Sequence, residues 1–113
     1  MTTANLLCPV DRIKTMDHTA AADVTAGEVM VVNGMVCLAY ATAAAGDDVQ
    51  LVYAADSVGM PITAETVAPG DAIYWDAGAE RATKVTSGNT RCGRALSPAS
   101  VADTDVRIEL YNA

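Results

Sequence analysis

The chain has 113 residues and a formal net charge of −7, with 7 Lys and Arg against 14 Asp and Glu. That length holds one domain. An acidic balance without a basic run counts against the phosphate neutralisation that nucleic-acid binding needs, and against docking on an anionic membrane. The hydrophobic fraction is 51%, yet there is no Phe and much of the total is Ala. Alanine adds little apolar area on burial, so the core is thin, as suits either a compact monomer or an oligomer that buries more surface between copies. Cys8, Cys37 and Cys92 are odd in number and widely spaced, with no Cys-x-x-Cys pair. That pattern argues against a disulfide framework or zinc site and for reduced thiols. No stretch has the length of a membrane span, and residues 1–10 lack the basic-then-apolar pattern of a secretory signal, so synthesis in the cytoplasm is expected.

In chain order, residues 1–10 read as a flexible N-terminal arm, stopped by Pro9, whose Leu6-Leu7 pair has no obvious partner in the strand pattern. Residues 11–113 read as a single β-rich domain. Residues 11–16 alternate and predict a first strand, and residues 19–23 a connection. Thr25-Ala26-Gly27-Glu28 predicts a turn and residues 29–32 a buried strand. Asn33-Gly34 is the strongest hairpin signal in the chain, returning as a strand over 35–41. An Ala-Gly-Asp connection leads to an alternating strand over 49–54. Residues 57–61 predict a short strand or loop, and residues 62–67 one helical turn or irregular structure, Thr63 to Thr66 being the best local case for helix. Pro69-Gly70-Asp71 punctuates the chain, because proline presets φ and glycine tolerates positive φ. A strand over 72–76 follows, with the only tryptophan, then a hairpin loop over 76–78. Ser87-Gly88-Asn89 turns into a strand over 90–96. An Ala/Ser connection over 97–103 leads to a terminal strand in which Val106, Ile108 and Leu110 share one face. Seven to nine short strands at such spacing predict an all-β fold, a small sandwich or barrel of antiparallel strands.

The sequence also echoes itself. Residues 24–30 (VTAGEVM) resemble 67–73 (VAPGDAI), and the strand-loop-strand pattern of 38–53 resembles 95–111. Two related halves of one barrel would explain this, but similar turns recurring by chance is the expected account.

Candidate chemistry is sparse. His18 is the only histidine, and no Gly-x-Ser-x-Gly elbow supplies it with a nucleophile. Asp47-Asp48 and Asp103/Asp105 do not fit a calcium-loop spacing. The glycines are dispersed and form no phosphate-binding motif. No catalytic, cofactor-binding or metal-binding residue is assigned. Alternation places Trp75 and Ile73 on one face of their strand and Tyr74 and Asp76 on the other, with Trp75 the more buried of the two aromatics.

The order of motifs from Thr25 onward carries a resemblance. The segments TAGEVMVVNGMVCLA, AAAGDDVQLV, VAPGDAIYWDAGAERAT, SGNTRCGRAL and DTDVRIELYNA are similar, in this order, to the small capsid decoration, or cement, proteins of tailed phages, some of whose members carry recombinase labels. Cys92-Gly93-Arg94 departs from the aliphatic residues usual there, and residues 1–9 have no clear counterpart. The resemblance implies a non-enzymatic protein, without cofactor, commonly a homotrimer. It would bind the major capsid protein on the outer surface of the icosahedral head in the virion and stabilise the expanded lattice. The candidate capsid or subunit contacts are Leu6, Leu7, Tyr74 and Trp75. The alternatives are another virion component, such as a head-fibre base or tail protein, and a small β-fold ligand-binding module or enzyme.

Overall fold

The computed structural model describes residues 4–7, 12–63 and 65–111. They form nine strands in one antiparallel sheet, curled into a half-barrel: β1 (Asn5–Leu6), β2 (Ile13–Thr19), β3 (Val29–Val32), β4 (Met35–Ala39), β5 (Asp48–Pro61), β6 (Ala72–Asp76), β7 (Arg81–Thr83), β8 (Thr90–Ala95) and β9 (Asp105–Leu110). The main path runs β3-β4-β5-β9-β8-β6-β7, and β1 and β2 also pair with β5. A parallel bridge between Ile62 and Ala82 ties β7 back to the chain just after β5.

Most strand assignments follow from the turns. Asn33 and Gly34 adopt φ of 51° and 79°, the positive values a two-residue primed turn requires, and Val32 pairs with Met35 across it. The Asp76 carboxylate accepts the N–H groups of Gly78 (3.0 Å) and Ala79 (3.1 Å) and closes the β6–β7 loop. The described residues contain no α-helix; Thr63, Glu65 and Thr66 take the irregular alternative, and Ala64 lies outside the described residues. Two segments differ from expectation. Residues 49–54 and 57–61 belong to one long β5, because an irregularity between Ala55 and Val58 absorbs the break in alternation. Residues 4–7, expected in a free arm, are held by their own domain. Asn5 and Leu6 pair with Gly59 and Val58 of β5, and the Leu7 N–H donates to Ser57 (2.9 Å). The rest of the predicted arm, residues 1–3 and 8–10, lies outside the described residues, as does Cys8.

The internal echo is structural, against the expectation of a chance recurrence of turns. The chain order β2-β3-β4-β5 (residues 48–55) is repeated as β5 (residues 55–61)-β6-β8-β9, with β5 ending one unit and beginning the next. Many loop hydrogen bonds correspond. Val24 and Ala43 exchange N–H···O bonds, as do Val67 and Ala99. Gly27 donates to Ala39 as Gly70 donates to Ala95; Ala39 donates to Glu28 as Ala95 donates to Asp71; Ala20 donates to Asp47 as Ile62 donates to Thr104. Glu28 caps the Thr25 N–H just as Asp71 caps that of Ala68. Ala39, not Leu38, takes the place of Ala95. The second unit has two additions: β7 covers the outer edge of β6, and β1 covers the outer edge of the second part of β5.

The main core lies inside the curl and gathers Val36, Leu38, Val52, Val58, Met60, Ile73, Trp75, Val106, Ile108 and Leu110, with small residues such as Ala55, Ala82 and Ala95 between them. A second cluster lies on the opposite face of the first unit around Cys37, Ala39, Val49 and Leu51.

Candidate interaction surface

The four sequence candidates separate. Trp75 is 3% exposed in the main core, paired with Ala82 of β7 and Thr90 of β8. It supports the fold from within and presents almost nothing to a partner. Leu6 is half-buried against the same core. Leu7 is 54% exposed, and Tyr74 is half-buried on the opposite face of β6 from Trp75. Leu7 flanks β5, whereas β9 and β8 stand between β5 and β6, so Leu7 and Tyr74 do not meet along the sheet.

The surface that sequence reasoning missed is the second face of the first unit. Met16, Met30, Val32, Met35 and Tyr53 pack half-buried around Cys37 and Leu51. Alanines Ala20 and Ala43 of the connecting loops cover part of that face. The signal was present in the uninterrupted apolar runs VMVV and MVCLA, because a strand apolar at every position puts apolar side chains on both faces of the sheet rather than one. Methionine suits such a contact surface, being flexible and polarizable. A recess of about 240 Å³ lies on the main-core side, lined by Ala4, Leu6, Leu38, Val52 and the exposed Tyr40. A larger groove of about 380 Å³ lies between β2 and β9, with Arg12, Lys14, Asp56 and Glu109 at its rim. Its charges are mixed, and Arg12 and Asp56 pair across it at 3.5 Å.

A polar cluster with tertiary reach centres on Glu65. Its carboxylate accepts the Thr63 and Thr83 hydroxyls and the Lys84 N–H (2.9 Å), bolting the irregular segment after β5 to β7. Burial alone would raise the Glu65 pKa; the two hydroxyls, the Lys84 N–H and the Lys84 charge together outweigh it and hold the carboxyl below its ordinary value. A depressed carboxylate pKa stabilises the fold above the ordinary value of 4.5, and that contribution is lost as pH falls through the lowered folded value. Glu65→Gln should therefore flatten the acid limb of a stability-versus-pH curve, and Glu65→Ala should cost about 1–2 kcal/mol at neutral pH. Urea melts at several pH values check both, and an unchanged acid limb in Glu65→Gln would remove the carboxylate from the account.

His18 lies half-buried on β2, and its neighbour Thr19 donates to Asp48 (3.1 Å). Asp103 caps the Ser100 N–H (2.8 Å) as a turn residue. Among the described residues no group of three or more His, Cys, Asp or Glu is placed to hold a metal ion. Cys37 and Cys92 are free and buried. Desolvation pushes their thiols up to about 11 and about 12, the latter against the opposing charge of Arg91. No helix is long and apolar enough to cross a membrane among the described residues.

What these elements offer a partner is backbone edge and apolar area, the equipment of a structural β-protein. The comparison of the sequence with known families agrees. Residues 10–110 match the phage cement protein family, and the chain belongs to it, a phage capsid-associated structural protein. No curated protein matches the chain.

Proposed function

We propose that this protein is a decoration protein of the phage head, binding the outer surface of the icosahedral shell and stabilising its expanded lattice. The family match over residues 10–110 carries the reading. It is made in the host cytoplasm and works in the virion as a homotrimer whose partner is the major capsid protein. The mechanism is linkage: a protein that binds only the expanded lattice lowers the free energy of that state relative to all others. Several contacts per oligomer multiply the effect, because after one subunit docks the others bind at high effective concentration. An acidic chain suits the outside of a container whose contents are polyanionic.

The test is co-sedimentation of purified protein with expanded heads that lack it, followed by heating. Decorated heads should open at a higher temperature than bare ones. Attachment only to tails or fibres would replace this reading with the other virion roles. Leu7 is the first contact to probe, because 54% of it is exposed and its removal takes little from the core. Leu7→Ala should leave the melting temperature unchanged and lower head occupancy several-fold. Unchanged occupancy would remove Leu7 as an anchor. Deletion of residues 1–10 is a poorer probe, because it also removes β1 and the buried Ala4.

A further inference from the structure

The two units differ in one respect that bears on assembly. In the second, both outer edges are covered by strands of the same chain: β7 lies on β6, and β1 lies on the second part of β5. In the first, the equivalent edges belong to β3 and β2, and among the described residues no strand pairs with either. The fold thus shows what each edge accepts, an antiparallel strand, and among the described residues two such places are open.

The open edges are not alike. β3 is Val29-Met30-Val31-Val32, without a charge, proline or bulge to blunt it, and Val31 is 40% exposed. Exposed edges ordinarily carry such blunting devices, so an edge without them is built to be paired. β2 carries Lys14, Asp17 and His18. In a chain of net charge −7, copies repel one another over most of their surface, and the uncharged β3 edge with the adjoining Met30, Val32 and Met35 is where that repulsion is weakest. Backbone direction is compatible as well. β3, β4, β5 and β2 alternate in direction, so β2 of a second copy laid on β3 continues the antiparallel sheet. It also brings Met16, which belongs to the same apolar face, beside Met30.

We infer that copies of this chain join head to tail, the β2 edge of one pairing with the β3 edge of the next. The inference rests on the self-association part of the proposed function and names its surface. Each contact uses one β2 and one β3, so both edges of every copy are satisfied when a ring closes. The groups available for pairing can be named. The Ala39 N–H donates to Glu28, so by alternation Met30 and Val32 bond to β4 while Val29 and Val31 aim their N–H and C=O outward. The Ala20 N–H donates to Asp47, so His18 and Met16 bond to β5 while Asp17 and Thr19 aim outward.

Proline at an outward position removes an intermolecular donor and spares the ladder inside the domain. Val31→Pro and Asp17→Pro are measured by native mass spectrometry and sedimentation velocity against the wild type, with circular dichroism to verify folding. Val31→Lys serves if the proline variant does not fold. The wild type should run as a closed oligomer. Each variant alone should associate about tenfold more weakly or worse and run as monomer. An equimolar mixture of the two should give a dimer and nothing larger, because one intact β2 edge meets one intact β3 edge. Four results overturn the inference: a monomeric wild type at every concentration; Asp17→Pro with wild-type mass, meaning that β3 meets another surface; Val31→Pro with wild-type mass but no attachment to heads, meaning that a capsid strand takes the β3 edge; or a mixture that stays monomeric. Head co-sedimentation of the same samples separates the two readings. A monomer that still decorates heads overturns the ring and leaves capsid binding standing, whereas an oligomer that fails to decorate overturns capsid binding and leaves the ring.

Discussion

Gly93→Ala should cost about 3–5 kcal/mol of stability, a drop of about 10–25 °C in melting temperature for a domain of this size. Gly93 sits in β8 between Ile73 of β6 and Leu110 of β9, with φ of +156°. A Cβ built there falls 1.9 Å from the Glu109 carbonyl oxygen and 3.0 Å from its carbon. Both are backbone atoms of the neighbouring strand and cannot swing away as a side-chain tip can. The ladder between β8 and β9 must open to admit the methyl group, and it is part of the wall around Cys92, Ile108 and Leu110. Gly88→Ala is the matched control. Its φ of +75° also disfavours a side chain, but nothing lies within 4 Å of the added atom, so only a backbone cost of about 1 kcal/mol applies. Thermal melts of the two variants side by side measure the difference. Equal losses would mean that β9 moves aside freely and that the close approach has no energetic weight.

Trp75→Ala should cost about 3–5 kcal/mol through the cavity it leaves. The indole is 3% exposed beside Ile73, and among the described residues it is the only aromatic in a core otherwise filled by aliphatic side chains, Met60, Cys92 and alanine. Alanines such as Ala82 and Ala95 have no side-chain freedom with which to fill the gap, so relaxation is limited. Tyr74→Ala, on the outer face of the same strand, should cost less than about 1 kcal/mol. Urea melts followed by circular dichroism give both values without relying on the fluorophore that one variant lacks. Head occupancy measured well below the melting temperature of Trp75→Ala should match that of the wild type. A lost occupancy with unchanged stability would return Trp75 to the interface from which its burial removes it.

Much of the local structure was legible because its causes are local. Asn33-Gly34 can hardly be anything but a tight turn, Pro69-Gly70-Asp71 stops one segment and starts another, and alternation around Trp75 assigned its two faces correctly. The long β5 was hidden because Ala55-Asp56-Ser57 breaks the period of two, and only pairing with β9 beyond the irregularity shows that the strand continues. Leu6 was read as lacking a partner because β1 pairs with residues more than fifty positions away, at Val58 and Gly59. The apolar second face was written in VMVV and MVCLA, but an unbroken run says only that both faces are apolar, not what covers them.

Local preferences in the chain set where it turns, which residues of most strands point inward and that the domain is all-β, and the order of its motifs places it in the cement family. These depend on φ preferences, on the two-residue period and on composition, none of which requires knowing what lies across the sheet. Only pairing between distant segments made the echo a repeated unit, set Gly93 against the Glu109 backbone, and covered two edges with β1 and β7 while no described strand pairs with the outer edges of β2 and β3. The physical reason is that an edge is a property of pairing between distant segments. The same four valine and methionine residues make a central or an open strand according to whether another strand arrives beside them.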